Sequence, residues 1–138
     1  MDYRKYEPER RIFHWLTVPI VWLPLPFILI LDLVIMLYQV LCFPIYKIER
    51  VKRSEYILVM DRNKLDYLYG LEKLGCMYCG YANGVFRYIK EVAGRTEKYW
   101  CGVMHEDKPG FKIQEDQVIK KFAKFGDEAD FNEKYKKI

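Results

Sequence analysis

Four side chains stand at spacings that could hold a metal ion. Cys76-Met-Tyr-Cys79-Gly80 is a C-x2-C pair followed by glycine, the spacing that lets two thiolates reach one ion from a tight turn. Downstream, Cys101-Gly-Val-Met-His105 offers a thiolate and an imidazole four residues apart. Together they read C-x2-C-x21-C-x3-H, a Cys3His set that suits a closed tetrahedral zinc site. The set takes in every cysteine outside the apolar N-terminal run, which keeps Cys42, and the one histidine besides His14. Ligand softness puts zinc first and iron second, since a rubredoxin-like centre uses four cysteines and iron–sulfur clusters usually need more than three thiolates. A thioredoxin-type dithiol is the rival for the C-x2-C pair, but it belongs to a strand-to-helix junction in a βαβ pattern that this sequence does not display. An odd number of domain cysteines argues against simple disulfide pairing and for a reducing compartment.

The elements carrying these residues set a condition on the site. Residues 84–100 show a helical apolar stripe of Val85, Phe86, Ile89, Val92, Ala93, Thr96 and Trp100. A straight helix of that length spans about 25 Å, which would carry Cys101 away from Cys79. Closure of the site therefore requires either residues 80–84 running back along the helix or a break near Gly94. Upstream, residues 56–60 read as a short strand or helix start, and 64–74 as a helix ended by Gly75. Residues 114–125, stopped by Gly126, and 129–135, with Asp127 as N-cap, read as two short helices.

The N-terminal third has a different character. Residues 12–46 carry one charged side chain, Asp32, well beyond the ~18 apolar residues that already point to a membrane. The run is too long for the apolar core of a signal peptide and no small-x-small cleavage site follows it, so it is expected to be retained. Pro19, Pro24 and Pro26 interrupt its first half, and its length is short of two full crossings. Two topologies fit: a single span over 26–46 with 8–23 along the interface and Trp15 and Trp22 at headgroup depth, or a re-entrant hairpin with its tip at Pro24-Leu-Pro26. Arg4, Lys5, Arg10 and Arg11 before the run balance Lys47, Arg50, Lys52 and Arg53 after it; equal flanks lean towards the hairpin, and the second cluster places the C-terminal domain in the cytoplasm. Asp32 reads as a proton or ion path, a contact to a partner helix, or a side chain that is protonated or near the interface. His14, beside Trp15, reads as interfacial.

The stretch GCMYCGYANGVFRYIKEVAGRTEKYWCGVMH, residues 75–105, resembles one found in small bacterial membrane proteins of uncharacterised function. Those carry a similar Cys-x2-Cys-Gly-Tyr-Ala-Asn-Gly followed by Thr-Glu-x-Tyr-Trp-Cys-x3-His. The resemblance implies the same four ligands and supplies no activity.

The expected architecture is thus mainly α: a membrane-anchoring helical segment with basic flanks over 1–53, re-entrant hairpin or single span, and a small metal-stapled cytoplasmic domain over 54–138. Residues 47–138 hold nineteen basic and fifteen acidic side chains, too mild an excess for a nucleic-acid surface. No helical His-Glu-x-x-His or other hydrolase arrangement occurs. The functional expectation is a non-catalytic accessory or assembly protein of the cell (inner) membrane with a structural zinc site. Its partners would be the lipid bilayer and a membrane protein or a second copy of itself. The alternatives are an iron-containing electron-transfer protein, or a metal-dependent enzyme at the membrane surface using an acid or base such as Glu91, Glu97 or Glu106.

Overall fold

A computed structural model describes residues 11–59 and 61–136. The expectations for Arg4, Lys5 and Arg10, and for the side chains of Arg11 and His14, lie outside what is described. The chain is mainly helical, with no strand among the described residues and one isolated bridge, Val103 to Ala123. Helices α1 (Arg11–Trp22) and α2 (Leu25–Tyr46) are joined at Leu23–Pro24. Leu23 N–H bonds Pro19 O at 3.0 Å and Ile28 N–H bonds Pro24 O at 3.0 Å, so helical bonding carries on either side of the joint. Trp15–Tyr46 thereby forms one apolar helical stretch of 32 residues, long enough by length and composition to cross a bilayer. The hairpin expectation is corrected here. Pro24 is the N-cap of α2 and Pro26 sits in its first turn, where a missing N–H costs nothing, and so they start a helix rather than reverse the chain.

At its far end α2 does reverse. Lys47 adopts a left-handed conformation, φ 56°, and Ile48 N–H reaches back to Phe43 O at 2.9 Å, closing the last turn. Residues 48–59 then run back as an irregular strap with one short 3-10 turn, Arg53–Glu55. As the strap advances, its partners on α2 descend: Val51 meets Gln39 and Arg53 meets Asp32. Its partners on α3 descend as well. Arg95 donates to Glu49 O at 2.7 Å, Ile57 lies on Gly84, and Leu58 O lies on Gly80.

Helix α3 (Leu71–Trp100, 30 residues) therefore lies parallel to α2, with the strap antiparallel to both. Direct contacts agree: Trp22 stacks on Tyr78, Tyr38 Oη lies 3.1 Å from Thr96 Oγ1, and Tyr46 stacks on Tyr99. The core is shared by all three elements: Ile28 and Phe43 from α2, Val51 and Ile57 from the strap, and Ala82, Val85, Tyr88 and Val92 from α3. Of the predicted stripe, Val85, Ile89 and Val92 face this core, while Phe86, Ala93 and Trp100 are exposed.

Two sequence expectations about α3 are overturned. It starts at Leu71 and does not end at Gly75; residues 62–64 form only a 3-10 turn. Nor does it break at Gly94 or fold back at 80–84. Each internal glycine costs about 1 kcal/mol against alanine, and at two positions close packing explains it. A Cβ on Gly84 would stand 2.9 Å from both Ile57 Cα and Tyr56 O, and one on Gly80 would stand 3.0 Å from Leu58 O. The glycines are the seat of the strap.

The remaining chain caps the C-terminal half of α3. Of 114–125 only α4 (Glu115–Ile119) is α-helical, followed by α5 (Glu128–Tyr135), whose Asp127 caps Asp130 N–H at 2.9 Å as expected. Lys120 Nζ and Arg95 Nε each lie 2.8 Å from the Glu91 carboxylate. Burial alone would raise the Glu91 pKa, but the hydrogen bonds from Lys120 and Arg95 outweigh it and hold the carboxyl below its ordinary value. Gly102 has φ 64° and an added Cβ would strike the Tyr135 ring, so α5 is docked on a backbone only glycine supplies.

Gly84→Ala should therefore destabilise the protein by about 1–3 kcal/mol, since backbone on the strap would have to move. Gly75→Ala, where nothing lies within 4 Å, should leave stability unchanged or raise it by up to about 1 kcal/mol. Thermal melts followed by circular dichroism in detergent separate the two; equal effects would mean that the strap is not seated on Gly84.

Candidate functional site

The unbroken course of α3 decides where the four predicted ligands go. Cys76 and Cys79 lie near its start, half-buried and exposed respectively, one turn apart. Cys101 is the exposed C-cap residue at its other end. Twenty-two residues of helix put Cys79 and Cys101 about 33 Å apart along the axis. His105 is exposed in the loop beyond, its ring edge-on to Phe111 with centroids 5.5 Å apart. Cys76 with Cys79, and Cys101 with His105, are thus two separate pairs at opposite ends of one rod. No group of three or more His, Cys, Asp or Glu able to hold a metal ion occurs among the described residues. The metal-stapled domain is thus not supported among the described residues, and the glycine after Cys79, read as room for a metal knuckle, stands where strap backbone packs.

The structure instead brings together a polar cluster that the metal reading passed over. Asp32 and Gln39, seven residues apart on α2, fall on the same stripe as Ile28, Ile35 and Phe43. They are 4% and 3% exposed, whereas Phe27, Ile30, Leu33, Leu37 and Leu41 on the outer surface are more than half exposed. The helix turns Asp32 and Gln39 inward among apolar side chains and leaves its outer surface apolar, where a helix in a water-soluble protein would be polar. Asp32 takes a two-pronged contact from Arg53, Nε to Oδ1 at 3.1 Å and Nη2 to Oδ2 at 2.6 Å, and a third bond from Tyr81 Oη at 2.8 Å. This is the fork geometry that makes guanidinium–carboxylate pairs strong.

The hydrogen bond to Asp32 holds the Arg53 guanidinium above its ordinary pKa against the opposing effect of burial. Burial, and next the bond to Asp32, push the Tyr81 phenol up. One turn-pair further, Gln39 accepts from Val51 N–H at 2.7 Å and donates to Tyr88 Oη. Asp32 is therefore not isolated within the chain. It is the counter-ion of the strap. Its isolation in the apolar run and the seven-residue spacing to Gln39 were visible in the sequence; that Arg53, twenty-one residues on, returns to it was not.

Two open clefts flank this assembly. The larger, about 530 Å³, lies between the middle of α2 and the strap and is lined by Met36, Val40, Arg50, Lys52 and Arg53 among others. The smaller, about 140 Å³, lies between the α1–α2 joint and the start of α3, around Trp22, Leu74 and Met77. At the opposite end Tyr46, Tyr99 and Trp100 form an aromatic cluster, with Trp100 66% exposed. No protein-family model, curated protein or solved structure matches the chain.

Two outcomes test this arrangement. Because the four ligand candidates are split between the ends of α3, Cys101→Ser and His105→Ala should each shift stability by less than about 0.5 kcal/mol, as ordinary exposed substitutions do. A chelator should then leave the melting temperature of all forms unchanged; a large drop would mean that the four come together. Arg53→Leu should cost about 1–3 kcal/mol by leaving the Asp32 carboxylate buried without its cation. The double change Asp32→Leu with Arg53→Leu should recover most of that loss, and a double-mutant cycle of melts measures it.

Proposed function

We propose that the chain is a monotopic membrane protein whose α1–α2 rod lies in the plane of one leaflet and carries α3, the strap and the C-terminal helices as a rigid platform above it. The observation that carries this reading is the inverted amphipathicity of α2, with Asp32 and Gln39 turned into the protein and the large apolar side chains turned out. An exposed apolar surface of that extent marks a membrane or protein contact.

The charges on α3 argue for the in-plane orientation over a crossing one. Because α3 runs beside α2 along its length, a transbilayer α2 would carry the exposed Arg87 and Lys90 to bilayer depth. Each such charge costs about 2.5–3.5 kcal/mol on insertion scales. Laid flat, the same helix keeps them in water, and the exposed Trp15 and Trp100 come to headgroup level. The basic strap supports a cytoplasmic position for the platform.

The role we assign is that of a non-catalytic accessory protein that holds a fixed protein surface against the membrane, where a membrane-protein partner or a second copy would meet it. The buried polar side chains of α2, Asp32 and Gln39, are engaged in holding the strap, and the Asp32 carboxylate is held by three hydrogen bonds. A zinc staple or an iron centre does not enter the proposal, since the side chains it requires stand at opposite ends of α3.

The native cysteines give the test. In a Cys42→Ser, Cys76→Ser background, the exposed Cys79 and Cys101 report the two ends of α3. With the protein in sealed vesicles of either orientation, a membrane-impermeant maleimide should label both cysteines from the same side. Labelling of one from each side would establish a crossing helix pair and overturn the in-plane reading. Flotation with neutral phosphatidylcholine vesicles, resistant to alkaline carbonate, is expected in parallel; protein left at the bottom of the gradient would remove the membrane reading altogether.

A further inference from the structure

We infer that the larger cleft is a binding site for an anionic phospholipid, whose phosphate is held by the strap and whose acyl chains lie on the outer face of α2. The inference rests on the membrane-surface reading and goes beyond it by assigning a lipid class and the residues that select it. The cleft has two chemically different walls. One is apolar: Met36 and Val40, the latter 53% exposed, continue without interruption into the apolar surface of α2. The other is cationic: Arg50, Lys52 and Arg53 from the strap, with Glu49 as the acidic residue among the lining side chains.

The cations differ in how far they are already engaged. Arg53 is matched by Asp32 at 2.6 Å. Lys52, its side chain 74% exposed, has only a long contact to Glu55 at 3.8 Å. Arg50 is exposed and makes no ion pair among the described residues. Among the lining residues and Asp32, three cations face two carboxylates, so one positive charge is left over, and Arg50 and the loosely held Lys52 are the cations free to meet an anion where the apolar wall begins. A membrane lipid presents the complement, a phosphate joined to hydrocarbon chains. Zwitterionic phosphatidylcholine brings its own cation to the same place, and phosphatidylglycerol does not. A basic residue near an anionic lipid surface contributes about fivefold in affinity.

The test uses the full-length protein in dodecyl maltoside micelles, titrated with phosphatidylglycerol or phosphatidylcholine, with bound lipid counted by native mass spectrometry. Phosphatidylglycerol should bind preferentially at a stoichiometry of one. In Arg50→Gln with Lys52→Gln the preference should fall by about 25-fold, two increments of the fivefold effect. Both side chains are exposed, so the variant should keep the wild-type circular dichroism spectrum. Lys112→Gln with Lys136→Gln removes the same charge from residues that do not line the cleft, and should retain the preference. Soluble glycerol phosphate should fail to displace the lipid.

Equal binding of the two lipids would overturn the inference. So would equal loss in the two variants, which would make the preference a matter of net charge, and so would displacement by glycerol phosphate, which would make the cleft a site for soluble phosphate. Flotation with neutral vesicles does not depend on Arg50 or Lys52. A protein that floats but shows no lipid preference sinks this inference alone, and one that does not float sinks the membrane reading beneath it.

Discussion

Two helices that lie parallel within one chain have to be joined by a segment that travels back along the whole pair, and in this protein that segment is packed against both of them. Everything else about residues 25–100 follows from accommodating it. The strap is irregular backbone, so its N–H and C=O groups find no ladder of their own, and a buried backbone group without a partner costs as much as a lost hydrogen bond. Gln39 supplies the acceptor for Val51 N–H, and Arg95 supplies the donor for Glu49 O. Room comes from α3, where Gly80 and Gly84 remove two side chains from the face on which strap backbone lies. A polar residue in an apolar helix and a glycine in a long helix are each unfavourable alone. Set against the strap, each is the other half of a contact.

The Asp32–Arg53 pair is the same solution applied to charge. Arg53 belongs to the basic cluster that ends the apolar run, and the return of the strap draws its guanidinium to the middle of α2. Without Asp32 that guanidinium would lie unmatched beside helix; without Arg53 the carboxylate would be buried alone. Tyr81 closes the third side from α3. The triad therefore joins all three elements in one place. Because truncating one member of such a pair costs more than replacing both, it fixes the register of the strap more strongly than it adds to stability.

The sequence made the helical class, the long apolar run and the exceptional position of Asp32 plain, because each rests on composition within a short window. The Asp127 cap was legible for the same reason. The four-ligand reading parts from the arrangement seen where one local pattern serves two purposes. Cys-x2-Cys-Gly is the spacing of a metal knuckle, and Gly80-x3-Gly84, which begins on its last residue, is the spacing of a helix face opened for close approach. Local pattern cannot choose between them, since the choice depends on the strap, which arrives from some twenty-five residues upstream. The glycine at 75 misled for a related reason: a helix stabilised along its whole length by tertiary packing tolerates glycines that would end an isolated one. Lys47 was equally silent, being a left-handed residue of a type that carries no signal for it.

The inverted amphipathicity of α2 links the packing to the membrane. In a water-soluble three-element assembly, the central helix would turn its apolar face to the strap and α3, and burial of that face would drive folding. Here the inward stripe of α2 is half polar, and the core it shares rests on few large side chains, chiefly Phe43, Tyr88 and Val92. The outward apolar surface gains nothing from the protein's own fold. On the membrane-surface reading proposed above, solvation of that surface by lipid would belong to the folding free energy of the chain, with the bilayer plane as the third layer that α2 and α3 lack. A crossing orientation would satisfy α2 but strand the charges of α3, whereas lying flat satisfies both. The geometry that seats the strap, by setting charged α3 alongside apolar α2, is thus also what argues for the proposed flat orientation.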